Sequence, residues 1–430
     1  MINNEEIEKI NEELLQDKNN KIMHRILNKV SLNDLITDQD TVLKNDFNIN
    51  INTHKVTDQK KSGRCWAFAG LNLIREQIIE KCNIDNIVLS GSYIAFYDKL
   101  EKTNYIFERI IKLIKEGQKV YSEKMERLLN NGLSDGGYFY QFVDLIDKYG
   151  IVPENNFSEN YPSSNTVDLN FIISRLIRKF YLAVEKNLKE SKKIKKEYLE
   201  KLYKLLVTFY GIPPKTFSFE YTDKKGNYHI EPNLTPKEFY NKFVGEDFLK
   251  DCIEISSYED EKIKYNNYYE LEDNKRMYEK DFYKILNLPE KAVIRLVIKQ
   301  LKNKEPVYLC SITSNNIING LWNDLARSYG ELLNVDITMN RNEILKTNSV
   351  PGAHAMLLTG VNVVNGQTTR WKLENSWGPN NGIQGYWQAT NEYMKNYVYR
   401  VVIRKKYLTK KQQDLLSQKP IILKQEEQKF

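Results

Sequence analysis

Val56-Thr57-Asp58-Gln59-Lys60-Lys61-Ser62-Gly63-Arg64-Cys65-Trp66-Ala67-Phe68-Ala69-Gly70 decides the reading of this chain. The turn signal Ser62-Gly63 runs straight into an apolar series at helical spacing. Trp66, Ala69, Leu73, Ile74 and Ile78 recur at three- and four-residue steps, with Arg75, Glu76 and Glu80 on the polar side. A helix therefore starts at Cys65. A thiol in a first turn faces unpaired backbone N–H groups and the positive end of the helix dipole, which favour the reactive thiolate. Gly63 lets another chain approach the backbone closely. A buried, space-filling cysteine is the competing reading; the flanking residues and a second motif far downstream weigh against it.

That motif is Val350-Pro351-Gly352-Ala353-His354-Ala355-Met356-Leu357-Leu358, a turn followed by a strand. Asn365-Gly366 is a hairpin signal. Thr369-Arg370-Trp371-Lys372-Leu373 returns as the partner strand and ends in Glu374-Asn375-Ser376-Trp377-Gly378. His354 opens one strand and Asn375 closes the other, so both fall at the same end of the hairpin. A thiol, an imidazole and a side-chain amide are what acyl transfer by a Cys-His-Asn triad requires. Cys65 is the expected nucleophile, His354 the acid and base, and Asn375 the group that orients the imidazole. Trp377 is expected to shield their hydrogen bond from water. Gln59 supplies an N–H donor for an oxyanion, with the Cys65 backbone N–H as the second.

Taken together, these motifs resemble the papain-like cysteine peptidases, whose nucleophile segment carries a similar signature. Arginine ahead of the cysteine resembles the bleomycin hydrolase and aminopeptidase C branch. The resemblance continues through Ser92-Tyr93, Asp98-Lys99-Leu100-Glu101-Lys102-Thr103-Asn104-Tyr105, Gly385-Tyr386-Trp387 and Tyr397–Ile403. It implies an α+β, papain-like two-lobe fold and a cysteine aminopeptidase acting on short peptides. It also implies that Gly136 and Gly137 line the substrate cleft, and that the chain forms a homohexamer. The interval from Cys65 to His354 exceeds the roughly 130–150 residues of papain-type chains, which calls for an insertion.

The chain divides accordingly. Residues 1–50 form an N-terminal arm, whose Ile7, Ile10, Leu14 and Leu15 make an apolar stripe expected to pack on the body. Residues 51–165 form a helical lobe with Cys65. Residues 166–290 form a mainly helical insertion. Within it Phe171–Leu206 is a lysine-rich helical run, and Thr216–Tyr221 and Tyr228–Ile230 read as a hairpin. Thr235-Pro236 starts a further helix. Residues 291–407 form the β-rich lobe with His354 and Asn375, and 408–430 a C-terminal arm.

The 430 residues suffice for a large core. The net charge of +7 permits weak attraction to nucleic acid without demanding it. The lysines of the insertion read as a solvated face, with a nucleic-acid contact as the alternative. Cys65, Cys82, Cys252 and Cys310 show no metal-ligand spacing. No cofactor or metal is expected, and so few cysteines in a long chain fit a reducing compartment. The polar, acidic N-terminus resembles no secretory signal, and no apolar run approaches membrane-spanning length; a cytoplasmic protein without an inhibitory pro-segment is expected. His24, His54 and His229 lie outside the motifs.

The chain departs from the family in Tyr138-Phe139-Tyr140 after the glycine pair, in Pro351-Gly352-Ala353, in Ser311-Ile312-Thr313, and in the tail Lys424–Phe430. In the family the tail enters the cleft and meets the substrate amine. These departures leave an oligopeptide endopeptidase as the alternative to an aminopeptidase.

Overall fold

The computed structural model describes residues 3–36, 46–131, 133–313, 316–318, 320–347 and 353–429. Pro351-Gly352 and Phe430, named above as departures, lie outside the described residues. The expected helix runs from Cys65 to Cys82 and stops at Asn83, whose φ of 51° is the left-handed conformation that asparagine tolerates at a helix end. It is buried on nearly every side, including Asn72 and Arg75. Of its polar residues, Asn72 and Arg75 turn inward onto partners on other segments, while Glu76 is half-buried and Glu80 exposed.

Two further helices pack around it. Gly91–Lys115 is capped by Ser90, whose hydroxyl accepts from the Tyr93 N–H at 3.0 Å. Phe139–Tyr149 lays Phe139, Phe142, Leu145 and Ile146 into the same core. The lysine-rich run is two helices, Val167–Lys186 and Ser191–Tyr210, parted at Asn187. Ile173, Ile177, Phe180 and Val184 face the core, while Lys192, Lys193 and Lys196 are exposed, as a solvated face requires. Phe217–Thr222 and Tyr228–Leu234 pair as a separate two-stranded hairpin. Thr235 caps the Pro236–Phe243 helix with a reciprocal bond to Glu238.

Among the described residues, the remaining strands make one twelve-stranded sheet. Its centre is Val307–Ile312, buried at every position, flanked by Ala353–Val364 and Val398–Arg404. Ala353–Val364 turns at Asn365-Gly366, both with positive φ, into Gln367–Glu374, which pairs onward with Tyr386–Thr390. Cys252–Ser256, Asn267–Leu271 and Tyr283–Asn287, from the stretch expected as a mainly helical insertion, extend the other side of the sheet. Ile421–Leu423 adds its edge strand, parallel to Asn267–Leu271.

The N-terminal arm differs from expectation. Helices Asn4–Gln16 and Lys18–Leu27 bury no residue, and Ile7, Ile10, Leu14 and Leu15 are exposed. Amphipathic spacing specifies a helix with an apolar stripe, but among the described residues no surface covers it.

Candidate active site

Cys65 is the first residue of its helix and is half-buried where the helical part meets the sheet. It is hydrogen-bonded to the His354 ring. His354 stands near the start of the Ala353–Val364 strand, and its Nε2 lies 2.7 Å from Asn375 Oδ1, just past the end of the paired strand. The hairpin thus brings His354 and Asn375 together as its spacing indicates. The Trp377 ring lies tilted over the imidazole, with centroids 4.8 Å apart, and Trp322 flanks it at 6.4 Å. Asn375 Oδ1 also accepts from the Ser376 N–H at 2.8 Å, which fixes which end of the amide faces histidine.

Charge favours an ion pair here. Burial pushes the Cys65 thiol up, but the charge and hydrogen bond of His354, with the Ala355 and Trp66 N–H groups, outweigh it and hold the thiol below its usual value. Burial pulls His354 down, yet Cys65 and Asn375 raise it above the usual imidazole value. The other cysteines go the opposite way. Burial raises Cys82 and pushes Cys252 up to about 12, and it raises Cys310 as well. Of the four thiols, only Cys65 is poised as a nucleophile.

Gln59 sits on the segment running antiparallel to Ser376–Gly378. Its N–H donates to the Ser376 carbonyl at 2.9 Å, and the Gly378 N–H donates to the Thr57 carbonyl at 3.0 Å. Its side-chain amide is held at both ends. Nε2 donates to the Ser62 carbonyl at 2.6 Å, and Oε1 accepts from the Ser376 hydroxyl at 2.7 Å. A carboxamide has two N–H donors, so one remains for a ligand. Arg64, beside the nucleophile, turns away from it. Its guanidinium grips Glu159 through two bonds of 2.9 Å and lies over the Phe68 ring.

Gly136 and Gly137 are held against the Cys65 helix. The Trp66 indole donates to the Asp135 carbonyl at 2.7 Å, and a Cβ on Gly137 would come within 2.5 Å of that indole. The buried Lys102 ammonium donates to the carbonyls of Ser134 (2.9 Å) and Gly136 (2.7 Å) and pairs with Asp98 at 2.8 Å. Lys99, at 2.6 Å, and Thr166 hold Asp135. Burial pushes that carboxyl up, but these partners keep it well below the usual range. Sequence reading singled out the Asp98–Tyr105 run only as a family likeness; its work is to brace the glycine pair from below. Ser376, Glu374 and Arg75 were likewise not assigned roles. Their one signal was position: Glu374 and Ser376 flank Asn375, and Arg75 is a charge inside an apolar helix.

The tail follows the sheet edge. Gln428 Nε2 donates to the Glu272 carbonyl at 2.8 Å, and its Oε1 accepts from Asn274 at 3.4 Å. Asn274 in turn accepts from the Tyr140 hydroxyl at 2.7 Å. Among the described residues, no group of three His, Cys, Asp or Glu side chains is placed to hold a metal ion, and no helix is long and apolar enough to cross a membrane.

Known proteins share much of this sequence and its fold. The Peptidase C1-like family profile matches residues 1–427. An aminopeptidase C from Lactobacillus delbrueckii subsp. lactis is 34% identical over 388 residues, covering 88% of this chain and 86% of that protein. An aminopeptidase E from Lactobacillus helveticus is 31% identical over 427 residues, covering 96% and 95%. The crystal structure of PepW from Lactobacillus rhamnosis HN001 superposes with a TM-score of 0.90 at 32% identity, over 99% of this chain and 98% of that one. With its papain-like α+β fold, the chain belongs to the Peptidase C1-like family, as a cysteine-type aminopeptidase.

Proposed function

We propose that Cys65, His354 and Asn375 form the catalytic triad, with Gln59 in the oxyanion hole, and that the substrates are short peptides. The observation that carries this reading is the hydrogen-bonded series Cys65–His354–Asn375 at the start of a helix. The Cys65 thiolate attacks the carbonyl carbon of the scissile bond. The developing oxyanion accepts from the Cys65 N–H and the free Gln59 amide N–H. The His354 imidazolium then protonates the leaving amine as the C–N bond breaks, leaving a thioester on Cys65. Water, deprotonated by His354, attacks the thioester and releases the carboxylate product. Asn375 keeps the ring oriented throughout, and Trp377 excludes water from their hydrogen bond. The edge formed by Gly136 and Gly137 receives the peptide main chain.

The reading extends to a cytoplasmic homohexamer. In support, none of the four cysteines is paired with another, as a reducing compartment requires, and the apolar stripe of the Asn4–Gln16 helix needs a cover. The decisive experiment is hydrolysis of matched free and N-acetylated peptides by the wild-type chain and Cys65→Ser in reducing buffer. Cleavage of the free peptide, abolished by the substitution, is the expected result. Equal cleavage of the acetylated peptide points to endopeptidase action on the same triad. Unchanged hydrolysis by Cys65→Ser rules the triad out.

A further inference from the structure

Beneath the triad lies a second polar cluster that the reaction does not use. Its centre is Arg75, on the Cys65–Cys82 helix, with its side chain 1% exposed. Arg75 Nη1 donates to the Lys55 carbonyl at 2.6 Å and to Asn72 Oδ1 at 3.1 Å. Nη2 donates to the His54 carbonyl at 3.1 Å and to Glu374 Oε1 at 2.8 Å. Nε reaches Glu76 Oε1 at 3.2 Å. Asn72, on the same helix, donates to Thr57 Oγ1 at 2.9 Å and to the same Glu374 oxygen at 3.0 Å. The Glu374 side chain is fully buried.

Three chain segments meet at this guanidinium, and each carries one part of the site. The helix bears Cys65 at its start. His54-Lys55 lies just upstream of Gln59 on the segment paired with Ser376–Gly378. Glu374 immediately precedes Asn375. We infer that Arg75 is a positioning residue that sets the mutual register of Cys65, Gln59 and Asn375, acting through Glu374 and the His54 and Lys55 carbonyls. The inference rests on the triad reading above. A planar guanidinium suits the task, because its five N–H donors point in fixed directions within one plane. An ammonium at this place keeps the charge but does not hold three segments at set angles. A displacement of about 1 Å in such a site costs about 10²-fold in rate, so the effect belongs in kcat.

The test compares Arg75→Lys, Arg75→Met, Glu374→Gln and the double variant Arg75→Met/Glu374→Gln. Glu374→Gln keeps size and acceptor while removing the charge, and the double variant leaves no uncompensated buried ion. Two readouts are taken below each variant's own Tm: kcat and KM on a free peptide, and the pH dependence of Cys65 alkylation by iodoacetamide. Expected are a fall in kcat of about 10²-fold for Arg75→Met, a smaller fall for Arg75→Lys, and KM within about twofold. Alkylation at low pH declines together with kcat as the thiolate–imidazolium pair loses its alignment. Folded variants with a lowered Tm but wild-type kcat and alkylation profile overturn the inference and leave a structural role only. An ordinary-thiol profile in the wild-type chain overturns the triad reading and the inference with it. A wild-type profile typical of an ion pair, unaltered in Glu374→Gln and the double variant, overturns the inference alone.

Discussion

The seam between the Cys65 helix and the sheet and the N-terminal arm begin from the same kind of sequence, an apolar series threaded with charges, and end in opposite environments. In the seam, charged side chains are the buried ones: Arg75 and Glu374 are both sealed from solvent. In the arm, apolar side chains are the exposed ones, with Leu15 at 61%. Periodicity gives a helix and a stripe in both cases. What differs is the partner. Each seam charge meets an opposite charge or a main-chain carbonyl, and a buried ion is tolerable only with such company. The first two helices of the arm, Asn4–Gln16 and Lys18–Leu27, bury no residue against the described body. Burial is thus a property of the pairing, and a single helix does not declare it.

Four experiments act on this contrast. Gln59→Ala removes the proposed oxyanion donor from the seam and is expected to lower kcat by about 10²–10³-fold with little change in KM; peptide hydrolysis under saturating substrate measures it, and an unchanged kcat removes Gln59 from the reaction. Gly137→Ala forces a methyl into the Trp66 ring, which Gly137 already abuts. The expected destabilisation is about 1–3 kcal/mol by denaturant titration, with kcat falling as well because Trp66 adjoins Cys65, the proposed nucleophile.

The third experiment is a pH profile. Cys65 lies below its usual value, so activity rises with pH at a lower pH than an ordinary thiol permits. His354 lies above its usual value, so the imidazolium, and activity with it, persists past the ordinary histidine range before falling. The active window lies between the two. Asn375→Ala removes one of the groups that raise His354, so the descending limb should move to lower pH. A descending limb that stays put shows that Asn375 does not hold the imidazolium. The smallest effect belongs to the arm. Ile10→Glu should leave the stability of the single chain within about 0.5 kcal/mol and leave kcat per site unchanged, while light scattering reports a smaller assembly. A large loss of Tm in the dilute single chain indicates that the arm packs on its own body after all.

Legibility followed the range of each signal. The Cys65 helix start, the Asn365-Gly366 turn and the Thr235-Pro236 cap are written in a few adjacent residues and appear where they were expected. The convergence of His354 on Asn375 was legible because a hairpin converts sequence spacing into proximity. The membership of Cys252–Ser256, Asn267–Leu271 and Tyr283–Asn287 in the main sheet was not, since strand pairing across long separations leaves no local mark. The burial of Arg75 was not legible for the same reason: its acceptor, Glu374, is remote in sequence. The brace under Gly136 was visible only as a charged run, because a buried lysine and a solvated one are spelled alike.

The short antiparallel stitch between residues 57–59 and 376–378 also makes the site a gauge of its own integrity. The stitch itself is only a few main-chain bonds, beside the side-chain contacts that pack the helical and sheet halves together, so it belongs to the class of contacts that open locally before either half melts. Once it parts, Gln59 loses the serine that aims it, and the thiol and the imidazole no longer share a hinge line. On gradual denaturation catalysis should go dark while both halves still give a full helical signal, which makes turnover a more sensitive thermometer of this molecule than its spectrum.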